Sequence, residues 1–186
     1  MVSSYSTDLK LELMVTGENA GTWGDITNTN LNILQQAIAG YESVALNATT
    51  GATLTFSNGV TSNGKNAVLN LTGTLTSSVN VVIPDGIEKT YTVKNATTGS
   101  YAVTFKTTSG SGATWAAADK GVKLLYSDGT NVTDVNSQLK TISLFTLPAV
   151  DGTSGQAIIT NGAGSLSFAT AGITTGKAIA MAIVFG

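Results

Sequence analysis

Near the N-terminus the apolar spacing changes once. Leu9, Leu11 and Leu13 alternate with Lys10, Glu12 and Met14, the period-two pattern of a short, half-buried strand. A glycine-rich turn follows, GENAGTWGD (Gly17 to Asp25), centred on Trp23. Beyond it the period lengthens: Leu31, Leu34 and Ile38 form one apolar stripe, with Ile33 and Ala37 beside it. This spacing predicts an amphipathic helix over Thr27 to Ala39. Asp25 or Thr27 is expected to cap its start and Gly40 to stop it. Trp23 is expected to pack against the helix. So short a helix is stable only when its apolar stripe is covered.

From Tyr41 to Asn136 the pattern returns to short alternating runs. They are SVALNA (Ser43 to Ala48), ATLTFS (Ala52 to Ser57), AVLNLT (Ala67 to Thr72) and SVNVVI (Ser78 to Ile83). TYTVKN (Thr90 to Asn95), YAVTFKT (Tyr101 to Thr107), VKLLYS (Val122 to Ser127) and TNVTDV (Thr130 to Val135) complete the series. SNG, PDG, TTGS and SDG punctuate them as turns. Strands at this spacing predict a mainly β body, an antiparallel sandwich or jelly roll. In the remainder, QAIITN and GSLSFA (Gln156 to Asn161, Gly164 to Ala169) predict a hairpin. GKAIAMAIVFG (Gly176 to Gly186) predicts an extended apolar strand without a polar face. The expected organisation is therefore an N-terminal region at 1–40, a β-domain at 41–136, and a connector with a terminal strand at 137–186.

Composition narrows the chemistry. Of 186 residues, 82 are Thr, Ser, Asn or Gly, and His, Cys and Arg do not occur. Without His or Cys there is no imidazole base, no thiolate nucleophile and no ordinary zinc site. The acidic pairs Glu18 with Asp25 and Asp85 with Glu88, and the Asp128-Gly129 turn, read as backbone caps rather than acid/base or calcium sites. No enzyme activity, cofactor or metal is expected. Nine scattered Lys offer no basic stripe for nucleic acid. No apolar run reaches the length of a membrane span, and no secretion signal is visible at the N-terminus. The N-x-S/T sequons at Asn47, Asn70, Asn95 and Asn131 match the number this composition produces by chance.

The charged fraction is 11%, far below the ~25% of ordinary soluble domains. A surface so poor in charge tends to associate. Self-association is expected through the terminal strand, by Ile179, Met181, Ile183 and Phe185, with Trp23, Leu31, Leu34 and Ile38 as an attachment surface. Trp115, in GSGATWAA, is expected in a loop between strands; it is the better candidate of the two tryptophans for an exposed contact such as a sugar, with an anchor in the core as the favoured reading.

TGENAGTWGDITNTNLNILQQAI (Thr16 to Ile38) resembles a segment near the N-termini of tailed-phage virion proteins. IPDGIEKTYTVKNATTGSYAVTFKTTSGSG and GVKLLYSDGTNV are similar to β-domains of phage fibres and appendages. DGTSGQAIITNGAGSLSF resembles a tail-fibre connector, and TGKAIAMAIVFG the ends of marine-phage structural proteins. The resemblance implies a virion-located structural protein, a short tail-fibre or appendage subunit. It also implies a homotrimer that joins other virion proteins through its N-terminal region and contributes to host attachment, with a host surface glycan as a further partner. The alternatives are a capsid decoration or head-fibre protein and a carbohydrate-binding adhesin module.

Overall fold

Turns in the β-body hand the chain from one sheet to a facing one. The computed structural model describes residues 3–138, 141–142, 145–170 and 183. A small antiparallel ribbon, β1 (Ser4–Tyr5) with β2 (Glu12–Leu13), precedes helix α1 (Trp23–Ala39). The body follows as β3 (Tyr41–Ala45), β4 (Gly51–Thr53), β5 (Val68–Thr72), β6 (Val79–Ile83) and β7 (Glu88–Asn95). It closes with β8 (Val103–Thr107), β9 (Gly112–Trp115), β10 (Val122–Asp128) and β11 (Val132–Asp134). These elements belong to one compact unit, Met1–Ser137.

The body is mainly β, with two principal sheets. One has the order β11-β10-β7-β5-β3 and the other β4-β6-β8-β9. Odd and even strands from β3 to β8 thus alternate between sheets, so each coil of chain contributes one strand to each. Tyr41 aligns with Val68 and Val68 with Thr92, in parallel; Val81 aligns with Ala52 and Phe105, also in parallel. Only from β9 onward do new strands add antiparallel, β9 to β8, β10 to β7 and β11 to β10. The two-sheet β-body expected from the sequence is present. The antiparallel pairing expected throughout holds for β9, β10 and β11; from β3 to β8 it is corrected to a parallel winding over three coils.

The reason lies in the corners. NATTG occurs twice, at Asn47–Gly51 and Asn95–Gly99. Asn47 Oδ1 accepts hydrogen bonds from the backbone of Thr49 and Thr50, and Asn95 Oδ1 from the backbone and hydroxyl of Thr97. Such Asx turns bend the chain sideways. The middle coil is laced to both neighbours there: Thr76 N–H donates to Ala48 O, Leu75 N–H to Thr98 O, and Thr98 N–H to Gly73 O. The sequons at Asn47 and Asn95 are thus corner motifs of the winding.

Alternation places one side of each strand between the sheets. Leu69, Leu71, Tyr91, Val93 and Leu125 meet Val81, Ile83, Val103, Phe105 and Trp115 in one buried cluster. At the far end the sheet edges are joined, since Val132 N–H donates to Ser111 O. The second unit, Gln138–Gly186, holds β12 (Thr141–Ile142) paired with β13 (Phe145–Thr146). There β14 (Gln156–Thr160) pairs antiparallel with β15 (Leu166–Thr170), the hairpin predicted from QAIITN and GSLSFA.

Candidate interaction surface

The N-terminal segment is tied to the body and to its own helix. Asn30 pairs with the Glu12 backbone in both directions: its Oδ1 accepts from Glu12 N–H at 3.0 Å and its Nδ2 donates to Glu12 O at 2.9 Å. Gly59 N–H donates to Lys10 O, and Glu88 N–H to Asp8 Oδ1. Helix α1 starts four residues before the expected Thr27, at Trp23. Its preceding residue Thr22 makes no side-chain cap. Gly40 is not a left-handed stop, since its φ is −69°. Glycine is needed there because a Cβ would overlap Asn66 Oδ1 and Gln36 O.

The helix turns a different side inward from the one the spacing suggested. Ile33 is its one buried residue, with Ile26 and Ala37 half-buried on the same side. Leu31 is 56% exposed and Ile38 78% exposed, while Leu34 is half-buried. Trp23 does not pack against the helix but opens it, 65% exposed. Of the attachment residues named from sequence, Trp23, Leu31 and Ile38 are therefore left exposed, and Leu34 is partly covered.

The body carries a second apolar area. Tyr41, Val68, Thr92 and Leu124 form one row across the outer side of the five-stranded sheet, with Tyr41 61% exposed. Val122 and Tyr126 lie exposed on the same side of β10. The other sheet presents Asn80, Thr104 and Thr114 in the corresponding row. The first row carries three apolar residues and the second none.

Trp115 is a core anchor, the favoured of its two readings, and not an exposed contact; the loop expected around it is corrected to a strand. GATW forms β9, and its alternation turns Ala113 and Trp115 inward. Trp115 is completely buried, its Nε1 donates to Gly121 O at 3.0 Å, and Lys123 Nζ lies 5.7 Å from its ring centre. Of the terminal-strand residues, Ile179, Met181 and Phe185 lie outside the described residues. Ile183 is described; its backbone is helical rather than extended there, and it is 77% exposed.

The carboxylates of Asp85, Asp128 and Glu18 engage backbone. Asp85 accepts from Ser109 N–H at 3.1 Å and from its hydroxyl at 2.9 Å, which holds the carboxyl below its ordinary range. Asp128 accepts from Asn131 N–H and Thr130 N–H, with the same direction of shift. Glu18 accepts from Val15 N–H, while Glu88 is held to Asp8 through its own N–H. Among the described residues no three acidic groups converge on a metal-sized site, and no helix is long and apolar enough to cross a membrane. A cleft of about 290 Å³ lies between α1 and the body and is lined by amides, including Asn32, Gln35, Gln36 and Asn66. Compared with known protein families, curated proteins and solved structures, the chain matches none.

Proposed function

We propose that this chain is a non-enzymatic structural protein of a tailed-phage particle, a short tail-fibre or appendage subunit. It works as a homo-oligomer, with a trimer favoured by the resemblance to phage fibres, and joins the particle through residues 1–40. The observation that carries this reading is the outward face of α1, where Trp23, Leu31 and Ile38 stand exposed on a helix tied to a β-body. An uncovered apolar face on a helix whose one charged residue is Asp25 supports binding to protein. The phage-like Thr16 to Ile38 segment coincides with it. The β-body then projects away from the particle.

The experiment is immunogold labelling of particles made from the phage genome that encodes this chain. Label at the tail or its appendages supports the proposal. Label confined to the head surface would favour the capsid decoration alternative, and unlabelled particles would overturn a virion role. The adhesin alternative has lost the aromatic it named, because Trp115 is buried.

A further inference from the structure

Three amide side chains on α1, Asn32, Gln35 and Gln36, follow one another at the spacing of a single helix face. With Gly40, Tyr41 and Asn66 they line the cleft of about 290 Å³ between the helix and the body. No residue lining this cleft is charged, and none is aliphatic.

Asn66 gives the cleft a built polar centre. It is only 3% exposed, and its Nδ2 donates to Asn63 O at 3.1 Å. Its Oδ1 accepts no hydrogen bond among the described residues. That oxygen lies beside Gly40, where any side chain would overlap it, so glycine leaves it open to the cleft. A buried acceptor is costly unless something supplies a donor. Donors stand ready around it as well. Gln36 Oε1 accepts from Ser62 N–H at 3.3 Å, which leaves its Nε2 unpaired among the described residues. Asn32 and Gln35 are exposed, and their amides make no hydrogen bond among the described residues.

We infer that this cleft binds a small neutral sugar. A sugar hydroxyl both donates and accepts, and the lining offers both partners: amide N–H groups and the Asn66 carbonyl. Tyr41 is 61% exposed and supplies a flat ring for the C–H face of a pyranose. The volume sits near the lower end of small-molecule sites, about 300 Å³. An uncharged lining gives nothing to hold a phosphate or a carboxylate. An extended peptide would also meet amides, as Glu12 meets Asn30, but its side chains would find no aliphatic recess here. The site is distinct from Trp115 and from the apolar face of α1, since Leu31, Leu34 and Ile38 do not line it. The inference is independent of the virion role.

The full-length protein would be titrated calorimetrically with glucose, galactose, mannose and N-acetylglucosamine. Glucose 6-phosphate, N-acetylneuraminic acid and glycerol serve as comparisons. Tyr41→Ser and Gln35→Ala change exposed side chains of the cleft, and Tyr126→Ser changes an exposed tyrosine outside it. The expected result is saturable binding, millimolar or tighter, of at least one of the neutral sugars. It should weaken about fivefold or more in each cleft variant and stay unchanged in Tyr126→Ser. Saturation by none of the neutral sugars would overturn the site. Equal binding of glycerol or of the charged sugars, or binding that survives both cleft substitutions, would overturn it too.

Discussion

The Lys65 ammonium donates to Val60 O at 2.6 Å and also to Ser57 O at 2.7 Å, and the residue is completely buried. No carboxylate pairs with it among the described residues. Two backbone carbonyls solvate the charge instead, so the loop from Ser57 to Ser62 is wrapped around one side chain. Gly59, in the middle of that loop, also binds Lys10 O, which links the clasp to the N-terminal segment. Lys65→Met keeps the volume, removes the donor to Ser57 O and leaves Val60 O with only the Ser62 hydroxyl at 3.5 Å. The expected cost is about 1–3 kcal/mol, read from urea denaturation. A variant as stable as wild type would show that the loop holds itself.

The same lysine shapes the alkaline stability profile. Burial, aided by the charge of Lys10, lowers Lys65 from 10.5 to about 8, and burial lowers Lys89 likewise to about 8. Between those values the unfolded chain holds protons that the folded one has released, so stability rises with pH. Two groups act oppositely higher up. Tyr91 is raised by burial above its ordinary 10.0, and Lys123 is raised by its hydrogen bond to Asp134 above 10.5. In that range the folded chain keeps protons that the unfolded one loses, and stability falls. Urea midpoints should peak near pH 10, and Lys65→Met should climb towards that peak less steeply. A midpoint that declines steadily from pH 8 would contradict the assignment.

Glycine at the coil corners separates two kinds of cost. Gly51 and Gly86 both have positive φ, +80° and +77°. Around Gly86 nothing lies within 4 Å of an added Cβ, whereas at Gly51 the Cβ would overlap the Asn80 carbonyl in the adjacent coil. Gly86→Ala should cost about 1–2 kcal/mol, the strain of a left-handed residue alone. Gly51→Ala should cost clearly more, because β4 must also move away from β6. Equal melting temperatures for the two variants would argue against the close coil contact.

Tyr91 is almost the reverse case. Its ring packs 5.3 Å from that of Phe105, yet its buried hydroxyl has no hydrogen-bond partner among the described residues. Tyr91→Phe keeps the ring and removes a desolvated donor. The variant should be more stable by about 1 kcal/mol, and it should abolish the stability loss that Tyr91 contributes above pH 10. Destabilisation would point to a partner for the hydroxyl.

Much of the strand content was legible because alternation reports directly which side of a strand is buried. Leu69 and Leu71, or Val103 and Phe105, announce their strands in this way. Alternation says nothing about the direction of the neighbouring strand, so the parallel winding was hidden. The repeated NATTG was the available signal, since identical corners imply stacked coils. Trp115 was placed in a loop because GATW is flanked by glycines and alanines, although its two-residue step from Ala113 is strand-like. On the helix, Leu31, Leu34 and Ile38 form the more conspicuous stripe. The body needs only Ile33 and its half-buried neighbours, so the stronger apolar line was free to face outward. Periodicity located the surface and could not say which side met the body.

The winding of β3 to β8 also has a consequence for size. Because each coil rests on the last through parallel pairs, the two ends of the stack need no knowledge of what lies between them. The helix adjoins the first coil, and the antiparallel strands β9, β10 and β11 finish the last. A further coil with its own Asx corner, inserted between these ends, would extend the body by about 4.8 Å, one strand spacing. Its reach can thus be altered in discrete steps while the helix at one end and the closure at the other keep their own neighbours.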